Sequence, residues 1–222
     1  MRTVKPILLQ RVTLVSALLG VLFAGHADAS MSPEARLEVA RRHFRMAELS
    51  QPGSPSRQIN YMKAEELAER ALTDDPRSAD AHFMLFAARG RRLLERGGRP
   101  SVSTLWKFTG LKKYLTRALE LDPAHANALA AKGGLLLDLP SYLGGDVGEA
   151  RDHLERALAL NPTGPGTRLS LARALRKQGL VEPAREQARL AAHYACMKRT
   201  VAPLTAAEEF LSELSELDSS AL

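Results

Sequence analysis

The chain has 222 residues, 45% hydrophobic, 25% charged and 5% aromatic, which is enough apolar material for an ordinary core and too much for a disordered polymer. Ala, Leu, Arg and Glu dominate while the β-branched and aromatic residues that favour strands are scarce, which argues against a β-rich or α/β enzyme. A single Cys excludes an internal disulfide framework and any multi-cysteine metal centre, and the formal charge of +6 marks a basic protein.

Arg2, Lys5 and Arg11 precede an apolar run from Val12 to Gly25, and Ala27, Asp28 and Ala29 follow. A charged n-region, a short h-region and an A-x-A site predict a secretory signal peptide over residues 1–29, cut after Ala29. The apolar run is shorter than the roughly 20 residues that cross a bilayer. The expected mature chain begins at Ser30 and works in the periplasm or another exported space, where nucleic acid is not an expected partner. Cleavage removes three cations and one anion, leaving +4. Residues 203–222 hold Glu208, Glu209, Glu213, Glu216 and Asp218 without a cation, so residues 30–202 carry +9. A basic body with an acidic end suits acidic peptides, acidic protein faces or lipid headgroups.

Beyond the leader, breakers and caps predict helices at 33–49, 57–73, 79–95, 103–120, 126–138, 147–160, 166–177, 181–198 and 205–217. One phrase recurs at three of the helix ends: Ala71 to Pro76, Ala118 to Pro123 and Ala157 to Pro162, with Ala five residues before Pro each time. Proline lacks an N–H and disfavours helical geometry in the residue before it, so each phrase closes a helix. The prolines are 47 and 39 residues apart, a period of 34 with insertions of 13 and 5. Small residues accompany them at Ala64 and Ala71, at Gly133, Ala150 and Ala157, and at Ala172, Gly179, Ala184 and Ala191, where two helices approach too closely for long side chains.

In these residues the chain resembles the tetratricopeptide repeat (TPR) family over roughly residues 33–199. The resemblance implies an all-α, TPR-like α-hairpin solenoid of about four helix pairs over residues 30–202, followed by an acidic amphipathic helix and tail over 203–222. It departs from the family pattern in three places. Cys196 stands where a fourth proline belongs, leaving the helix free to run on toward Thr200; Leu111 replaces a small residue; and Gly97 to Pro100, with Trp106 and Phe108, enlarges the second unit. The last helix places Phe210, Leu211, Leu214 and Leu217 at helical spacing, and two roles stay open for it: capping the solenoid end, or folding into a basic groove.

The family's geometry puts the first helix of each pair on the concave face. That implies Asp80, Phe83, Ala87 and Arg91 there in the second unit, Asn127, Ala130, Gly134 and Asp138 in the third, and Leu169, Arg173, Arg176 and Lys177 in the fourth. Arg grips carboxylates with two parallel hydrogen bonds, so Arg91, Asn127, Leu169, Arg173, Arg176 and Lys177 are the candidate contacts for a protein or peptide partner.

Between the third pair's helices, Gly144 and Gly145 permit positive φ, and Asp146 with Glu149 three residues on reads as a capping box. The phrase from Leu139 through Asp146 to His153 and Leu158 also resembles the periplasmic T component of some tripartite ATP-independent periplasmic (TRAP) transporters. That resemblance implies docking of a periplasmic solute-binding protein and leaves room for an oligomer, although the lipid-anchoring Cys common in that family is missing.

No H-x-x-x-H pair, G-x-S-x-G elbow or separable carboxylate pair is present, so neither catalysis nor a metal or other cofactor is expected. Cys196 sits among Ala191, Ala192, Tyr194 and Ala195, a pattern that predicts burial. The expected function is a non-enzymatic exported scaffold that binds a protein or peptide, acidic ones among them, on its concave face.

Overall fold

Serine, proline and histidine set the helix limits. The Ser32 hydroxyl accepts from the Ala35 N–H at 3.2 Å and the Ser54 hydroxyl from the Arg57 N–H at 3.3 Å, each just before a proline that needs no hydrogen bond in the first turn. Pro76, Pro123 and Pro162 each stand two residues beyond a finished helix.

A computed structural model describes residues 31–95 and 102–220, with side chains described for 31–95 and 110–216. The leader predicted over 1–29 and the side chains of Trp106 and Phe108 lie outside the described residues. Within them the chain forms helices α1 (Pro33–Leu49), α2 (Pro55–Asp74), α3 (Ala79–Glu95), α4 (Val102–Leu121), α5 (Ala126–Asp138), α6 (Val147–Leu160), α7 (Pro165–Lys177), α8 (Val181–Met197) and α9 (Val201–Ser220). A single 3-10 turn at Ser141–Leu143 separates α5 from α6. Among the described residues there is no strand, and no helix is long and apolar enough to cross a membrane.

The helices pack as hairpins α1/α2, α3/α4, α5/α6 and α7/α8, with α2 also against α3, α6 against α7, and α9 against α8 and α7. This is an all-α, TPR-like solenoid. The small residues of the recurring phrase sit where helices touch: Ala64, Ala71, Ala150, Ala172, Ala184 and Ala191 are fully buried. Gly133 lies against α6, since a Cβ there would lie 2.6 Å from Leu154 Cγ and 2.8 Å from the Ala150 carbonyl oxygen. Gly179 is small for another reason, its φ of +78° at the α7/α8 turn.

The α8 end differs from the expectation of a helix running toward Thr200. Arg199 adopts the left-handed conformation, φ 53°, and the Thr200 N–H donates to Ala195 O at 2.9 Å, closing α8 at Met197 without glycine or proline. Cys196 is exposed, not buried, because the packed face of α8 ends on its neighbour Ala195.

Candidate functional site

The first helices of the pairs share one side of the molecule. There α1 packs on α3 and α5 on α7, whereas α3 and α5 meet only marginally.

The two helices are pinned at one end. Asp80, in the first turn of α3, lies 3.1 Å through Oδ1 from His125 Nε2 and 2.7 Å through Oδ2 from the Arg41 guanidinium of α1. His125 Nδ1 accepts the Ala128 N–H at 3.1 Å, capping α5, which leaves the ring proton on Nε2 for Asp80. The Phe83 ring lies tilted against the His125 ring, their centroids 5.0 Å apart. The hydrogen bond from His125, together with Arg41, holds the Asp80 carboxyl down at about 2 against the desolvation that would raise it.

From that pin α3 and α5 run on to Leu94 and Asp138 with a groove of about 730 Å³ between them. Its walls are Phe44, Phe83, Phe86, Leu94, Leu135 and Leu139, and Ala87, Gly90, Ala131 and Gly134 give it depth. The volume falls in the range of about 300–1,000 Å³ usual for ligand sites, and the lining is apolar like theirs.

Gly134 is informative beside Gly133. A Cβ at Gly134 would meet nothing within 4 Å, and its φ is not positive. Glycine inside a helix costs about 0.5–1 kcal/mol relative to alanine, and at Gly134 neither close packing nor backbone conformation demands it. What its missing side chain leaves is open space in the groove.

Charge is confined to the rim. Arg91 is half exposed, its Nε 3.1 Å from Glu48, which also accepts from the Tyr61 hydroxyl. At the far end Asp138 reaches solvent yet is surrounded by the concave mass of protein, and this enclosure pushes its pKa up while Arg173 and Lys177 pull it down.

The six candidate contacts thus separate. Arg91 lines the groove. Asn127 is exposed on the first turn of α5 and does not line it. Leu169 is 6% exposed and belongs to the core cluster that it shares with Leu136, Leu175 and Ala188. Arg173, Arg176 and Lys177 border a smaller cavity, about 250 Å³, closed by α9 through Ala206, Glu209, Phe210 and Glu213. Arg176 is bound within the chain, 2.6 Å from Glu213 and 4.9 Å from the Phe210 ring centroid, and Lys177 donates to Leu137 O at 2.7 Å. The α9 helix caps the core with Ala207, Phe210 and Leu214 and also borders the concave side of α7.

The turn after α5 keeps half of its expected capping box. The Asp146 carboxylate accepts the Glu149 N–H at 2.9 Å, but the Glu149 carboxylate turns to Lys132 at 3.0 Å and His153 at 3.3 Å, while the Asp146 N–H donates to Leu136 O. Only Gly144 has positive φ, +84°; Gly145 is required because a Cβ would lie 1.8 Å from the Leu139 carbonyl oxygen.

Sequence reasoning placed Phe83, Ala87, Gly134 and Asp138 on the concave face but missed the aromatic wall formed with Phe44 and Phe86. The available signal was three phenylalanines on helices otherwise rich in alanine. Among the described residues no group of three His, Cys, Asp or Glu side chains is arranged to hold a metal ion.

Comparison with known proteins agrees with this fold. A tetratricopeptide repeat family model matches residues 143–194. A thermophilic TPR protein of Thermus thermophilus superposes with a TM-score of 0.55 at 20% identity, covering 90% of this chain and 94% of that one. Lower similarity is found to a crystal structure of MamA (TM-score 0.43, 17% identity, 72% and 88% covered) and to pilF of Pseudomonas aeruginosa (0.34, 18%, 81% and 93%). No curated protein matches the sequence. Residues 143–194 therefore carry tetratricopeptide-repeat sequence, and the fold of the whole described chain is that of a TPR solenoid.

Proposed function

We propose that this chain is a non-enzymatic scaffold, exported by the leader read in residues 1–29, that holds a segment of a partner protein between α3 and α5. The observation that carries this reading is the apolar groove of about 730 Å³ on the side of the first helices, kept open by a glycine that the fold does not need. TPR solenoids serve protein recognition along such extended concave surfaces. The basic residues first expected to make the contacts play a smaller part, since Arg176 and Lys177 are bound within the chain.

The test is recovery of partners by the tagged full chain and by its Gly134→Leu variant from the same envelope extract. A partner recovered by the wild type and depleted at least tenfold by the variant, at equal thermal stability, is the expected result. Identical recovery by both overturns the groove as the binding site.

A further inference from the structure

Resting on that reading, we propose that the α3–α5 groove receives an acidic amphipathic helix of the partner. Its apolar side chains would lie over Gly134 and its carboxylates against Arg91 and Arg173. The chemistry of the occupant follows that of α9, which packs mainly on α8 as the end cap and also borders the concave side of α7. In α9, Phe210 and Leu214 are buried at 5% and 0% exposure, while Glu213, on the same helix, takes Arg176 at 2.6 Å. The Arg176 guanidinium lies over the Phe210 ring, so one arginine reads both the apolar and the acidic part of the helix.

The groove repeats that setting on the other side of Asp138, which borders both cavities. Its walls are apolar, and at the end away from the Asp80–His125 pin Arg91 stands on α3 and Arg173 faces Asp138 of α5. Arg91 has its Nε beside Glu48, and its two terminal nitrogens make no hydrogen bond among the described residues. Arg173 is exposed and faces Asp138 without closing an ion pair among the described residues. Glu48 beside Arg91 and Asp138 beside Arg173 are the acids nearest these two guanidiniums. From Phe83 to Leu94 the groove follows three turns of α3, about 16 Å, which is room for a helix of similar length lying alongside.

The probe is a fluorophore-labelled peptide of residues 203–217 of this chain, titrated with the full-length protein and followed by anisotropy. Saturable binding is expected, weakened at least tenfold by Gly134→Leu with no fall in melting temperature. It is expected to weaken several-fold when Arg91 and Arg173 are both changed to Ala, and when the peptide's glutamates are replaced by glutamines. Arg176→Ala is expected to leave the affinity unchanged, because Arg176 serves α9. Ala87→Leu fills the same groove from the opposite bank and replaces Gly134→Leu if that variant melts early.

Binding unaffected by both groove-filling variants overturns the proposal, since the peptide then exchanges with α9 or sits elsewhere. Absence of binding overturns it too. In either case a native partner that Gly134→Leu still releases leaves the wider scaffold reading standing, whereas a partner indifferent to Gly134→Leu removes both.

Discussion

In α1–α4 the apolar contacts between helices are joined by buried charged pairs, whereas α5–α9 are held mainly by leucine and alanine. Glu65 of α2 is buried and holds Arg89 at 2.7 Å and Arg92 at 3.0 Å on α3, and Arg89 passes on to the Tyr114 hydroxyl of α4 at 2.7 Å. Arg57 reaches Glu95 at 2.7 Å, and Arg36 pairs with Asp74. The core of α5–α9, by contrast, is formed by residues such as Leu136, Leu154, Leu175 and Leu214 set against Ala150, Ala172 and Ala188. A buried ion network demands particular partners at particular positions, whereas an alanine-lined contact demands only smallness at a fixed spacing. The second half can therefore keep the family's sequence rhythm while the first departs from it.

The comparison breaks most visibly if one buried side chain is removed from each half. Leu154→Ala, under Gly133 and fully buried, is expected to cost about 3–5 kcal/mol in chemical denaturation. Glu65→Ala leaves Arg92 without its carboxylate and Arg89 with Glu69 alone, and is expected to cost about 3 kcal/mol. Hydrogen exchange should then rise first in α2–α4 for Glu65→Ala and in α5–α7 for Leu154→Ala. A cost below about 1 kcal/mol for Glu65→Ala would reduce the network to surface pairing.

Adjacent glycines sharpen the contrast between packing and opening. Gly133→Ala forces a Cβ to 2.8 Å from a backbone oxygen and is expected to destabilise by about 1–3 kcal/mol. Gly134→Ala points into open groove and is expected to stabilise by about 0.5–1 kcal/mol. Thermal melts of the two variants should move in opposite directions, and movement in the same direction would remove the argument that Gly134 serves the groove.

The smallest effect concerns the joint between the halves. Asp80 has its pKa depressed to about 2 from 3.8, so its contribution to stability is complete above 3.8 and is lost as pH falls through about 2. The stability difference between wild type and Asp80→Asn should therefore shrink over that interval. A difference that stays constant would mean that neither His125 nor Arg41 favours the charged carboxylate.

Much of the fold was legible because proline acts locally. Pro76, Pro123 and Pro162 announce helix ends through their own geometry, and the alanines before them repeat at positions that any close helix pair must keep small. Arg199 shows where such reading stops: its left-handed backbone lets the Thr200 N–H reach back to Ala195 O, and nothing in an arginine signals it. The site was less legible for a similar reason. Helical position assigned Arg176 to the concave side, but its partner Glu213 lies 37 residues away, and no local pattern joins them. Leu169 and Cys196 failed because a residue's side of a helix shifts by about 100° with each step, so a small error of register exchanges core for solvent.

The joint of Arg41, Asp80 and His125 also has a mechanical meaning. Three helices from three repeat units converge on one carboxylate, and α3 extends about 20 Å beyond it to Leu94. With the fulcrum at one end, a rotation of α5 by about 5° would shift the opposite tip by roughly 2 Å. The width of the mouth is thus governed from its far end, and a load applied near Leu94 or Asp138 acts with the longest lever arm available on the contact between the two halves of the chain.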